Sequence, residues 1–144
     1  MVIVSSMKER LTMQRPSGGA NGRHPNRALV IVSHQSMIRK PNPGVQRLCR
    51  GMRRRMVFGR VYSTNIALKD RLEQIATRLW RAGIRQMDVF PYFLHEGFHV
   101  RVELPKRLMS IRKKYPALDV RQWPHLGCHP DLAELAADLL GVRD

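Results

Sequence analysis

The sequence predicts an α/β domain: an open, parallel, four-stranded sheet in three layers, with helices on both faces. Short apolar runs of strand length alternate with helical stripes four times along the chain. The first run, Ala28-Leu29-Val30-Ile31-Val32, is apolar without a break, the pattern of a strand buried on both faces. At 144 residues and 43% apolar, the chain is sized for one domain with a real core.

Residues 1–26 contain the string MQRPSGGANGRHPN, rich in Pro, Gly and Asn and without periodicity. They are expected to form a flexible basic extension, with the domain spanning 27–144. After a polar loop carrying Pro41 and Pro43, residues Val45, Leu48, Cys49, Met52 and Met56 recur at helical spacing, with the arginines off that stripe. Val57 to Thr64 is a second strand. Leu68, Leu72, Ile75, Ala76 and Leu79 make a second helical stripe, which Gly83 is placed to end as the residue beyond the C-cap. Met87 to Phe93 reads as a third strand with Pro91 near its end. Leu104, Leu108, Ile111 and Tyr115 form a third helix, with Pro105 in its first turn. Val120 to Trp123 is the last strand. Pro130 and Asp131 then open a helix whose apolar face is Leu132, Leu135, Ala136, Leu139 and Leu140.

The charge is lopsided. Lys and Arg number 26 against 11 Asp and Glu, a net of +15. Residues 1–56 hold 12 of the bases and a single acid, Glu9. Such a balance points to a polyanionic partner: nucleic acid, anionic lipid or a small polyanion. No apolar run approaches the roughly 20 residues of a membrane span, and MVIVSS runs straight into Lys8, Glu9 and Arg10 without a secretory core. Only Cys49 and Cys128 are present, which excludes a disulfide scaffold and fits a reducing, cytoplasmic setting.

In open parallel sheets, ligands bind beyond the carboxyl ends of the strands. Just past the expected strand ends lie His34, His95, His99, His125 and His129, five of the six histidines. Neutral imidazole ligates divalent cobalt, nickel, iron and zinc, and also accepts protons. His34 and His99 follow strands that a parallel sheet can set side by side, which makes them a candidate two-imidazole site with open coordination positions. His95-Glu96-Gly97-Phe98-His99 also matches H-E-x-x-H, whose zinc chemistry needs both histidines on one helix face. Here the five residues follow a strand directly, with Pro91 upstream and Gly97 inside, so the helix that motif requires is not expected.

Three segments carry a family resemblance. PYFLHEGFHVRVELP, from Pro91 to Pro105, resembles the P-x-F-L-x-x-G-x-H-V-x-x-D-I-P stretch of the small sirohydrochlorin chelatases of the CbiX type. LGCHPDL, from Leu126, is similar to their L-G-x-H-P-x-L segment, and LVIVSHQS, from Leu29, to their first strand and G-H-G-S loop. The match runs over about residues 27–144 and is strongest over 87–140. The resemblance implies a chelatase-like sheet, a homodimer, and insertion of Co²⁺, or Fe²⁺ or Ni²⁺, into sirohydrochlorin without an organic cofactor. It puts the two metal-handling histidines, which also accept the pyrrole protons, on His34 and His99.

Elementary chemistry extends that site. Glu103, four residues after His99, is placed to orient an imidazole or pass protons on, and equally to favour a helix N-terminus. A substrate with eight carboxylates suits a basic protein, and Arg39, Lys40 and Arg101 lie near the expected edge. Gly97 leaves room for a flat ring near the backbone, and Phe98, Phe93 and Trp123 are candidates to stack on it. Ser33, Gln35 and Ser36 occupy the first histidine loop, and His129 either lines the cleft or caps a turn. Ser33 and Gln35 stand where the family has glycines. That departure keeps open a non-catalytic relative that binds a tetrapyrrole or metal. A basic nucleic-acid binder built on residues 1–56 is a further alternative.

Overall fold

The computed structural model describes residues 23–34 and 42–142. Four strands form one parallel sheet in the order β2-β1-β3-β4: β1 His24–Ser33, β2 Phe58–Asn65, β3 Gln86–Pro91 and β4 Asp119–Gln122. Helix α1 (Pro43–Arg54) joins β1 to β2, and α2 (Arg71–Arg81) joins β2 to β3. A π-helical turn (His99–Glu103) runs into α3 (Leu104–Lys114) before β4, and α4 (Leu132–Leu140) ends the chain.

β1 explains the sheet's centre. Ala28, Val30 and Val32 face one side with Met87, Val89 and Val120, under α2 and α3. Leu29 and Ile31 face the other side with Val61, under Val45 and Cys49 of α1. Successive strand side chains point to opposite faces, so an unbroken apolar run feeds both cores at once. The strand starts at His24, three residues ahead of the expected Arg27, and its pairing with β2 is irregular between His24 and Ala28.

The helix ends follow local chemistry. The Asn42 side chain accepts the Gly44 and Val45 N–H groups at 2.9 and 3.4 Å, and Pro43 opens α1. Met56, expected on the α1 stripe, instead lies in the turn beyond it at φ +56° and is exposed. Leu68 also falls outside its expected helix, because α2 begins only at Arg71. Gly83 does end α2: its φ is +82°, its N–H reaches the Trp80 carbonyl at 3.1 Å and that of Ile84 the Leu79 carbonyl at 3.0 Å. Third-strand pairing stops at Pro91, leaving Phe93 in the loop.

The last helix departs most from expectation. None of its residues is buried, and Leu135, Leu139 and Leu140 are 53, 89 and 77% exposed. On the α1 face of the sheet lies an apolar groove of about 690 Å³, lined by Leu29, Leu48, Met52, Phe90, Tyr92 and Trp123. Asp88 is fully buried at its floor, paired with the Arg27 guanidinium and accepting the Trp123 indole N–H at 2.8 Å. Trp123, a candidate for stacking on a ring, lines this groove with its indole N–H on Asp88.

Candidate metal-handling site

Strands β1 and β3 are neighbours, yet the chain leaves them in different directions: to α1 on one face of the sheet, to the π-turn and α3 on the other. Their carboxyl ends therefore open a crevice between diverging connections, the place where such sheets bind ligands. The β1 side ends in buried Ser33, whose carbonyl accepts the Ile66 N–H at 2.8 Å, and then exposed His34. On the β3 side, Tyr92 N–H bonds the Val32 carbonyl at 2.7 Å, and residues 92–97 carry the chain to the π-turn that starts at His99.

Across this crevice the His34 and His99 rings stack, with centroids 5.0 Å apart and planes 27° apart. Phe93 and Phe98 flank His99 at 5.9 and 6.1 Å between centroids. Glu103 Oε2 lies 2.6 Å from His99 Nδ1. One helical turn separates the two residues. An ionised carboxylate only accepts hydrogen bonds, so it places the imidazole proton on Nδ1 and leaves Nε2 with a free lone pair. Single π-turns within α-helices recur at functional sites, and this one holds both members of the pair.

The remaining expected residues are distributed around this pair. Gly97 begins the turn, its carbonyl accepting the Val100 and Arg101 N–H groups at 3.2 and 3.0 Å. A Cβ built on Gly97 would meet nothing within 4 Å, so the surface beside it is open. Phe98 is 66% exposed, and Arg101 is exposed on the π-turn. Gln35, Ser36, Arg39 and Lys40 lie outside the described residues. His129 lines the apolar groove and accepts the Asp131 N–H on Nδ1 at 3.1 Å, the capping contact weighed against a cleft role. His95 and Glu96 are exposed in a non-helical loop, so H-E-x-x-H lacks the helix its chemistry needs.

Among the described residues, no group of three His, Cys, Asp or Glu side chains converges to hold a metal ion. Burial pushes the Cys128 thiol up, Glu96 adds to the shift, and its Sγ is 2.9 Å from the His125 carbonyl, which makes it a poor thiolate ligand. The donor set is two imidazoles with open positions, one of them backed by a carboxylate. Asp88 is the buried polar residue that the sequence reading missed. Its signal is a lone acid in the strand window Gln86-Met87-Asp88-Val89-Phe90.

The open sheet in this order, with paired imidazoles at the β1/β3 crevice, defines a chelatase-like α/β domain. The CbiX family model matches residues 28–141, and the chain belongs to the CbiX family. Solved structures share the fold. A cobalamin (vitamin B12) biosynthesis CbiX protein from Marinobacter aquaeolei VT8 is 19% identical at a TM-score of 0.67, covering 80% of this chain and 94% of that one. The sirohydrochlorin chelatase SirB of Bacillus subtilis subspecies spizizenii, in complex with cobalt, is 15% identical at a TM-score of 0.69, covering 80% of this chain and 50% of that one. SirB from Bacillus subtilis with Fe³⁺ is 15% identical at a TM-score of 0.66, covering 78% of this chain and 47% of SirB. The chain therefore spans about half the length of SirB. A search of the curated proteins finds no match. Among the described residues no helix is long and apolar enough to cross a membrane.

Proposed function

We propose that the protein inserts a divalent metal into sirohydrochlorin, with Co²⁺ as the first candidate and Fe²⁺ or Ni²⁺ as the others. The observation that carries this reading is the stacked His34–His99 pair with Glu103 on His99 Nδ1. Membership of the CbiX family and the metal-bound SirB structures of the same fold support it.

Metallation breaks two pyrrole N–H bonds as a cation takes their place. His34 and His99 hold the ion through their lone pairs and face the macrocycle. As the ion passes to the pyrrole nitrogens, each freed lone pair accepts one pyrrole proton. Two N–H bonds break and two form, and the charge balances. Glu103 stabilises the imidazolium that results on His99 and keeps the ring in the productive tautomer. Gly97 and Phe98 leave an open, partly aromatic surface for the ring. Arg101, with Arg39 and the Ser33–Ser36 loop, answers its carboxylates; a single exposed charge pair is worth only about 1 kcal/mol, so several must act together. The working assembly is a homodimer, as the resemblance to the small chelatases implies.

The test is anaerobic: purified protein, sirohydrochlorin and Co²⁺, followed by visible absorbance beside a His99→Ala variant. Conversion to the metallated spectrum faster than the protein-free control, and lost in the variant, is the expected result. Equal rates with and without protein would remove the proposal.

A further inference from the structure

In a parallel sheet each crossover helix returns the chain to the amino ends of the strands, so α1, α2 and α3 all finish on the side away from the His34–His99 crevice. The strand starts are tied together there. His24 N–H bonds the Val57 carbonyl at 2.9 Å, Arg85 N–H the Asn26 carbonyl at 3.1 Å, and Asp119 N–H the Arg85 carbonyl at 2.9 Å. All three helices finish in bases: Arg53 and Arg54 on α1, Arg78 and Arg81 on α2, Arg112 to Lys114 on α3. Cations suit a helix C-terminus, and some of these serve the fold. Arg53 donates to the Val61 carbonyl at 2.9 Å and Arg112 to the Val120 carbonyl at 2.8 Å. Others do not. Arg54, Arg55, Arg81 and Lys113 are exposed, and none forms an ion pair among the described residues.

Arg23 and Arg85 add exposed guanidinium groups at the starts of β1 and β3. Asp119, the acid among these strand starts, is held by Arg121 at 2.6 Å. At the opposite end, Asp70, Glu73, Glu96 and Glu103 offset the bases. Four strand starts at roughly 4.8 Å spacing spread the amino-end charge over about 14 Å. That breadth answers a run of phosphates, spaced about 3.4 Å along each strand of a duplex, and not one small anion. Arginine predominates, and its planar fork matches phosphate oxygens. A membrane surface needs apolar side chains to sink into it. Of the large apolar side chains exposed among the described residues, Met56 alone sits at these three helix ends. The rings here, Trp80 and Tyr115, stack on each other at 5.4 Å between centroids. Arg85 covers Trp80 at 3.8 Å and Lys114 covers Tyr115 at 5.4 Å, so neither ring is open to stack an unpaired base.

We propose that this amino-end face is a second binding surface, which takes the phosphate backbone of duplex nucleic acid without regard to sequence, through Arg23, Arg54, Arg55, Arg81, Arg85 and Lys113. It is separate from the metal-handling crevice, and its test does not depend on metallation. The full chain is titrated into a labelled duplex DNA of mixed sequence at several salt concentrations. With four to six phosphates neutralised, affinity should fall by about 4 to 5 decades per decade of salt. Arg54→Gln/Arg55→Gln/Arg81→Gln/Lys113→Gln should lower that slope by about 3 to 4 at an unchanged melting temperature. Arg47→Gln/Lys69→Gln/Arg71→Gln/Arg101→Gln removes the same charge toward the other end and should keep the wild-type slope. His99→Ala should bind the duplex as the wild type does. A wild type that leaves the duplex unbound would overturn the proposal. Equal losses in the two fourfold variants would overturn the face and leave only the net charge of the chain. Binding to phosphatidylserine vesicles in preference to the duplex would overturn the choice of partner, and binding lost with His99 would move it to the crevice.

Discussion

Glu103 Oε2 sits 2.6 Å from Nδ1 of His99, and the His34 ring stacks on the same imidazole. One residue thus meets an orienting carboxylate and a second candidate ligand. Partners of this kind typically matter 10–100-fold in metal affinity or activity. Glu103→Gln is expected to slow metallation about tenfold and Glu103→Ala more, with melting temperature little changed because Glu103 is part-exposed. Steady-state rates of both variants check this. Wild-type rates in both would make Glu103 only a first-turn carboxylate.

The sequence carried the layers and the crevice because their signals are local. An unbroken Ala28–Val32 run, three amphipathic stripes and Gly83 each state a backbone preference within a few residues. The His34–His99 meeting was legible through topology, since neighbouring β1 and β3 bring their following loops together. What escaped depends on distant partners. Nothing near Met56 announces that α1 stops at Arg54, and nothing in the last stripe says that its leucines stay outside the core. Asp88 sits in an apolar strand only because Arg27 and Trp123, far away in sequence, come to meet it.

Two glycines near the site should behave oppositely. A Cβ at Gly127 would lie 1.8 Å from the Leu94 carbonyl oxygen, against backbone that cannot swing away. Gly127→Ala is expected to displace the loop after β3 and cost about 2 kcal/mol or more, on the scale of overpacking. Gly97→Ala should leave stability within about 0.5 kcal/mol, as at open surface sites. If the macrocycle lies over Gly97, that methyl raises KM alone. Urea melts and Michaelis constants of the two variants separate these effects.

The buried Asp88 carboxylate depends on Arg27. Removing one member of a buried pair leaves an uncompensated charge, at a cost of about 3–5 kcal/mol. Arg27→Met is expected to lose stability on that scale. Arg27→Met with Asp88→Leu should recover part of it, since the buried charge is gone while the Trp123 indole N–H loses its acceptor. A double variant as unstable as Arg27→Met would mean that the loss comes from the packing of the Arg27 stem over Phe58, where its guanidinium lies 4.8 Å from the ring centre.

On the opposite face, Arg107 ties α3 to α2: its guanidinium meets both Glu73 oxygens at 3.0 Å and donates to the Ile66 carbonyl at 2.9 Å. Burial pushes the Glu73 carboxyl up, but the Arg107 hydrogen bond and charge outweigh it, so the group titrates below its ordinary 4.5. A carboxylate held below its unfolded value stabilises the fold fully above that value and loses the contribution as pH falls through the folded one. Glu73 is 34% exposed, so solvent screening limits the pair to about 1 kcal/mol or less. Glu73→Gln should therefore lower the urea midpoint modestly at pH 7 and converge on the wild type in acid, once the Glu73 carboxyl has taken up its proton. A deficit that persists unchanged in acid would mean the loss is one of hydrogen-bond geometry and not of charge.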